Sequence, residues 1–113
     1  MTKLAVFHPT DLSAESSVAF AHAVRIALPG DSRLTALHVH NPDETVSWDD
    51  FPTAQELLER WDFIAAGSTA GAVAEMGIEV DELEAANYEP LNAIVDYLEQ
   101  HPADLIVLAT TGR

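Results

Sequence analysis

Asp104-Leu-Ile-Val-Leu-Ala-Thr-Thr-Gly-Arg113 reads as a strand running into a small, glycine-containing turn. Four consecutive apolar residues, Leu105 to Leu108, fit a strand buried on both faces, as strands in the middle of a parallel sheet are. In α/β proteins, the turn after such a strand is where backbone amides open a cradle for phosphate, with a helix N-terminus behind it. Whether that architecture applies depends on what precedes the segment.

Upstream, strand-like runs alternate with helical periodicity. Leu4-Ala-Val-Phe7 is a short apolar run bounded by Pro9 and Asp11, and reads as the first strand. Ser13 is a good N-cap for the next helix, whose buried side is expected from Val18, Phe20, Ala21, Val24 and Ala27, with Pro29-Gly30 as its stop. Leu34-Thr-Ala-Leu-His-Val39 reads as the second strand, and residues 41–52, with four acids and Trp48, as a loop. Thr53 or Ala54 opens a long helix ending at Gly77, with Leu57, Leu58, Trp61, Ile64 and Ala65 as its apolar stripe. Gly67 and Gly71 weaken its second half. Ile78-Glu-Val-Asp-Glu-Leu-Glu-Ala85 reads as the third strand, its acids suited to a sheet edge. Pro90 fits the first turn of a last helix, with Leu91, Ile94, Val95 and Leu98 as the buried stripe and Pro102 as its break. Strand and helix thus alternate three times before a final strand. This predicts an α/β fold: an open parallel sheet with helices on both faces, in a single domain over residues 1–113. Strands one and four, the least polar, are expected at its centre.

Composition narrows the function. Nineteen Asp and Glu against five Lys and Arg give a formal charge of −14, with Lys3 the only lysine. Such a surface repels phosphate backbones, which argues against nucleic acid as a partner. An anionic ligand would need backbone amides, Mg²⁺ or both. No cysteine is present, which removes thiol catalysis, disulfides and thiolate metal sites. Residues 1–8 lack the long apolar region of a signal peptide, and no apolar run approaches a membrane span, so a cytoplasmic protein without membrane contact is expected.

Ligands of open parallel sheets bind at the carboxyl ends of the strands, where the winding direction reverses. If strands one and four are adjacent, His8-Pro-Thr-Asp-Leu-Ser13 meets Thr110-Thr-Gly-Arg113 there. Asp11 offers a carboxylate and the second segment offers hydroxyls and a permissive backbone, a combination suited to a nucleotide. Asp11 equally suits a turn that caps the first helix. His8, His38 and His40 could gather near the carboxyl ends of strands one and two, and His38 and His40 share a strand face. Packing and surface roles account for them without a metal. No serine sits in a nucleophile elbow, and Asp43, Glu44, Asp49 and Asp50 lack the spacing of a calcium loop.

The chain resembles the universal stress protein family. The residues that carry the likeness are Pro9-Thr-Asp-Leu-Ser13, Leu37-His-Val39, Pro90 with Ile94, and Ala103-Asp-Leu-Ile-Val-Leu108 leading to Thr111-Gly-Arg113. The resemblance implies a cytoplasmic, usually dimeric domain with strand order 3-2-1-4-5, and in one branch ATP binding. In that branch a carboxylate matching Asp11 contacts adenine, the residue matching Val39 lies at the base, and a glycine series holds ribose and phosphates. Ala109 stands at the first glycine position, Gly112 matches the second, and Tyr88 replaces a glycine often found two residues before the helix proline. The last glycine motif, a further helix and a fifth strand are expected beyond Arg113, so the domain is expected to be incomplete at its C-terminus, with the fourth strand as an exposed edge.

The expected function is a regulatory, stress-response domain binding ATP or a related adenine nucleotide, with Mg²⁺ as accompanying ion and a homodimer as assembly. The expected site comprises Pro9, Thr10, Asp11, Val39, Ala109, Thr110, Thr111, Gly112 and Arg113. No catalytic base or nucleophile is evident, so weak ATP hydrolysis is the most the residues imply. The alternative is a protein-interaction module of the same type that binds no nucleotide, which Ala109 favours.

Overall fold

A computed structural model of the chain describes residues 4–12, 14–28, 31–44, 48–49, 51–67 and 71–109. Among them, four strands form one parallel sheet: β1 (Leu4–Thr10), β2 (Ser32–His40), β3 (Ile78–Ala86) and β4 (Leu105–Ile106), in the order β3-β2-β1-β4. β1 pairs with β2 from Leu4↔Ser32 to Thr10↔His38, and β2 with β3 from Ser32↔Ile78 to His40↔Ala86. β4 contributes only Val6↔Leu105 and Phe7↔Ile106. The chain winds outward from β1 to β3, then crosses back to place β4 on the other side of β1. The direction of winding therefore reverses between β1 and β4. The fold and the strand order 3-2-1-4 are those expected, and β3 takes the edge that its acids suggested.

The helices are α1 (Ala14–Ala27), α2 (Ala54–Arg60), α3 (Ala72–Glu75) and α4 (Pro90–Gln100). Alternate strand residues point to opposite faces. Val6 of β1 and Leu34 and Ala36 of β2 meet Phe20, Ala23 and Val24 of α1 and Leu57 and Leu58 of α2, and these form the main core. Each large apolar side chain buried there contributes roughly 1.5–3 kcal/mol. On the other face Phe7 is buried and its ring stacks on Tyr97 of α4, with centroids 5.4 Å apart.

Four expectations are corrected. The long helix from Thr53 to Gly77 is two short ones. Thr53 does cap α2, its hydroxyl accepting from the Glu56 amide at 3.1 Å. The helix then ends at once, because Asp62 takes φ 63° and the amides of Asp62 and Phe63 turn back to the carbonyls of Glu59 and Leu58. That is a Schellman ending with aspartate in the glycine position. Trp61 and Ile64, beyond α2, still pack against the core, and the Arg25 guanidinium lies 5.0 Å from the Trp61 ring centre. Second, Val18 is exposed, because the buried stripe of α1 runs Ser16, Ala19, Phe20, Ala23, Val24, Ala27 and starts at a polar residue. Third, the α4 stripe is not buried: Leu91 and Val95 are exposed, and Ile94 and Leu98 are half-buried. Fourth, the last strand pairs over two residues rather than 105–108 and lies at an edge, with Leu105, Ile106 and Leu108 exposed. The edge position is the one expected for a sheet without a fifth strand. Ser13, Pro29-Gly30, Thr110, Thr111, Gly112 and Arg113 lie outside the described residues.

Candidate functional site

Pro9 creates the site. Parallel strands bond alternate residues to each neighbour, and Ala5 and Phe7 turn their carbonyls to the β4 side, where the amides of Asp104 and Val107 donate at 2.8 and 2.9 Å. Pro9 has the same parity as Ala5 and Phe7 but no N–H, so β1 offers β4 no further donor. Pairing stops at Ile106 and the two strands part. Beyond that point lies a crevice of ≈ 270 Å³ lined by Pro9, Thr10, Asp11, Ser16, Leu37, Val39, Pro90, Ile94, Leu108 and Ala109. It opens at the carboxyl ends of the strands, at the reversal of winding, where ligands of such sheets bind.

The crevice has an apolar side and a polar side. Pro9, Leu37 and Val39 supply strand side chains on the α4 face, joined by Pro90 and Ile94 from the first half of α4. Thr10 and Ser16 face the α1 side, and Asp11 is exposed at the rim. Leu12 follows with φ 62°, a conformation that a leucine adopts only when its surroundings fix it. Its amide donates to Thr10 Oγ1 at 2.9 Å, and its side chain packs against the main core.

Below Thr10 and Ser16 lies a fully buried histidine. His8 Nδ1 is 2.8 Å from the Val107 carbonyl, and its Nε2 is 3.1 Å from Ser16 Oγ. A carbonyl only accepts, so Nδ1 carries the proton and donates. Burial pushes the His8 pKa below its ordinary value, outweighing the Val107 carbonyl, the backbone of Ser16 and the charge of Asp11, which pull it up. The ring is therefore neutral, and Nε2 accepts from the Ser16 hydroxyl. Thr10 Oγ1, 2.5 Å from Ser16 Oγ, donates to it in turn.

Of the expected site residues, Pro9, Thr10, Asp11, Val39 and Ala109 line this one crevice; the other four lie outside the described residues. Leu37, Pro90, Ile94 and Leu108 join them, as does Ser16, which the sequence did not single out for the site. Its signal was the helical spacing that puts it on the buried side of α1, next to His8. The histidines do not converge: His38 donates from Nδ1 to the Thr10 carbonyl at 2.8 Å, while His40 donates to the Asn41 carbonyl at 2.9 Å. The rings of His38 and His40 do stack, with centroids 5.9 Å apart, as residues two apart on a strand can. Among the described residues no group of three or more His, Asp or Glu could hold a metal. Nor is any described helix long and apolar enough to cross a membrane. Trp48 is half-buried, donating from Nε1 to Glu84 at 2.6 Å and packing on Phe51. Tyr88 Oη donates to Asp43 at 3.0 Å. The acidic loop is thereby fastened to β3 and to the turn before α4.

Comparison with known proteins agrees with this architecture. A curated universal stress protein of Methanocaldococcus jannaschii is 32% identical over 111 residues, which cover 93% of this chain. The chain spans 63% of that relative's length. Among solved structures, the universal stress protein UspA of Lactobacillus plantarum is 26% identical with a TM-score of 0.53, covering 99% of this chain and 82% of that one. A universal stress protein solved in complex with cAMP is 19% identical with a TM-score of 0.57, covering 94% of this chain and 72% of that one, and shares the fold. The model of the universal stress protein family matches residues 6–113, almost the whole sequence, and the chain belongs to that family.

Proposed function

We propose that the crevice between β1 and β4 binds an adenine nucleotide, ATP or a close relative, and that the chain acts as a regulatory domain in the stress response. One observation carries this reading: Pro9, Thr10, Asp11, Val39 and Ala109, drawn from three separate segments, line the same crevice at the reversal of winding. The apolar strip of Pro9, Leu37 and Val39 suits the face of a planar base, and the Asp11 carboxylate at the rim can accept from its exocyclic amine. A volume of ≈ 270 Å³ suits a base better than a whole nucleotide. Phosphates would extend past Ala109 towards Thr110, Thr111, Gly112 and Arg113, accompanied by Mg²⁺. The solved complex of another family member with cAMP supports an adenine nucleotide as the ligand class. The domain would act by binding rather than turnover, as a cytoplasmic homodimer.

Calorimetric titration with ATP and Mg²⁺ tests the reading. Binding is expected, and Asp11→Asn is expected to weaken it about tenfold or more, since a hydrogen bond to a charged group contributes roughly 1.5–3 kcal/mol. Neither heat nor a thermal shift in the wild type would end it. Phosphate release is expected at the uncatalysed background rate. The second reading, an interaction module without nucleotide, is favoured by Ala109, whose methyl stands in the crevice wall where a glycine would let a ligand approach the backbone. Under it, Asp11→Asn changes nothing.

A further inference from the structure

We infer that His8 is the positioning residue of the crevice: its side chain supplies the strand-to-strand hydrogen bond that Pro9 cannot, and so fixes how far β1 and β4 part. Phe7 pairs with Ile106, and its carbonyl accepts from the Val107 amide at 2.9 Å. In a parallel ladder the next donor to β4 is the amide of residue 9, and its acceptor is the carbonyl of residue 107. Pro9 has no amide proton. The Val107 carbonyl is instead met by His8 Nδ1 at 2.8 Å. The imidazole, 0% exposed, thus takes the place of a backbone N–H.

A similar substitution occurs at the other end of β4. There Asp104 Oδ2 accepts from the Ala5 amide at 2.8 Å. A strand of two paired residues is therefore held to β1 at both ends by side chains. The His8 end carries the consequence for the site, because the same ring sets two residues of the crevice wall. Its Nε2 accepts from Ser16, Ser16 accepts from Thr10, and Thr10 accepts from the Leu12 amide. One side chain thus ties the end of β4 to the polar wall on the α1 side. That the crevice holds a ligand rests on the reading above; the clasp itself is tested without one.

The first measurement is the tautomer. In ligand-free protein labelled with nitrogen-15 in histidine, His8 is expected as the neutral Nδ1–H form, with a lone pair on Nε2. The Nε2–H form, or rapid averaging between the two, would overturn the inference. The second is hydrogen exchange at the Val107 amide. His8→Leu is expected to speed it at least tenfold relative to a core amide such as that of Leu34. His8→Asn, whose amide nitrogen stands near the position of Nδ1, is expected to restore most of the protection. Pro9→Ala returns the backbone donor and should shrink the effect of His8→Leu severalfold. Equal exchange in wild type and His8→Leu, or no rescue by Asn and by Pro9→Ala alike, would overturn it. The site is then read by ATP titration. His8→Leu is expected to weaken binding about tenfold and His8→Asn to recover it. Unchanged affinity in His8→Leu, with wild type binding, defeats the positioning role. Absence of binding in the wild type defeats the nucleotide reading and leaves the tautomer and exchange results to decide the clasp.

Discussion

Beneath α1 and α2, Phe20, Val24, Leu34 and Leu58 are each 0% exposed; on the opposite face α4 buries none of its residues, and Leu91 is 71% exposed. The same sheet serves both. The difference lies in what each helix meets. α1 and α2 lie over paired strands, so Val6, Leu34 and Ala36 present a continuous apolar floor. α4 meets β2 and, through Tyr97, Phe7 of β1, while β4 at the sheet edge pairs over two residues only. Stability is therefore concentrated on one face, and the exposed apolar surface, including Leu105, Ile106 and Leu108, on the other. The crevice lies along the seam. Its polar wall, Thr10 and Ser16, is tied to the packed side, and its apolar wall, Leu108, Pro90 and Ile94, belongs to the open side.

Truncations on the two faces test that contrast most sharply. Phe20→Ala should cost roughly 3–5 kcal/mol and Leu58→Ala roughly 2–5 kcal/mol, enough to unfold much of the protein. Leu91→Ala and Leu105→Ala should each stay within about 0.5 kcal/mol of wild type. Urea denaturation midpoints at constant slope measure both. A cost for Leu91→Ala comparable to that of Leu58→Ala would break the contrast, showing that the open face is covered in solution. If that cost also grew with protein concentration, a second copy would be the cover.

The contrast also explains what could be read in advance. The β1, β2 and β3 segments, α1 and the order of elements were legible because local pattern and tertiary burial agree there: Phe20, Val24 and Ala27 are apolar, periodic and buried. Val18 is apolar and still exposed, whereas the polar Ser16 holds its place in the stripe by bonding to His8 and Thr10. The α4 stripe was periodic and is still uncovered, since periodicity reports a face and not what lies against it. The site was legible as two segments meeting at a reversal of winding, a property of topology. The role of His8 was not, because it depends on a bond that Pro9 fails to make to a residue 98 positions away.

A middle-sized effect bears on the break that ends α2, which keeps the packed face compact. Gly67 has φ 79° and open space around its Cα, so an added methyl would meet nothing within 4 Å. The cost of Gly67→Ala is then purely that of the left-handed backbone, about 1–2 kcal/mol. The same denaturation assay reads it. A neutral result would mean that residues 61–67 change their path readily, and that the packed face tolerates rearrangement at this boundary.

The smallest expected effect is on pH, and it isolates the seam. His8 has its pKa lowered by burial on folding, while in the unfolded chain it titrates near 6.5. Between its lowered folded value and about 6.5 the unfolded chain binds more protons, so stability falls as pH falls through that window. Above about 6.5 the contribution is present in full. The nineteen Asp and Glu work the other way, since neutralising them relieves their mutual repulsion, but that effect is common to the wild type and to a variant at position 8. A modest decline in the urea midpoint as pH falls below about 6.5 is therefore expected for the wild type. His8→Asn keeps the donor to Val107 without a titrating ring and should flatten that decline. If the decline persists unchanged in His8→Asn, its source lies elsewhere in the chain, and the buried histidine does not couple protonation to the joining of β1 and β4.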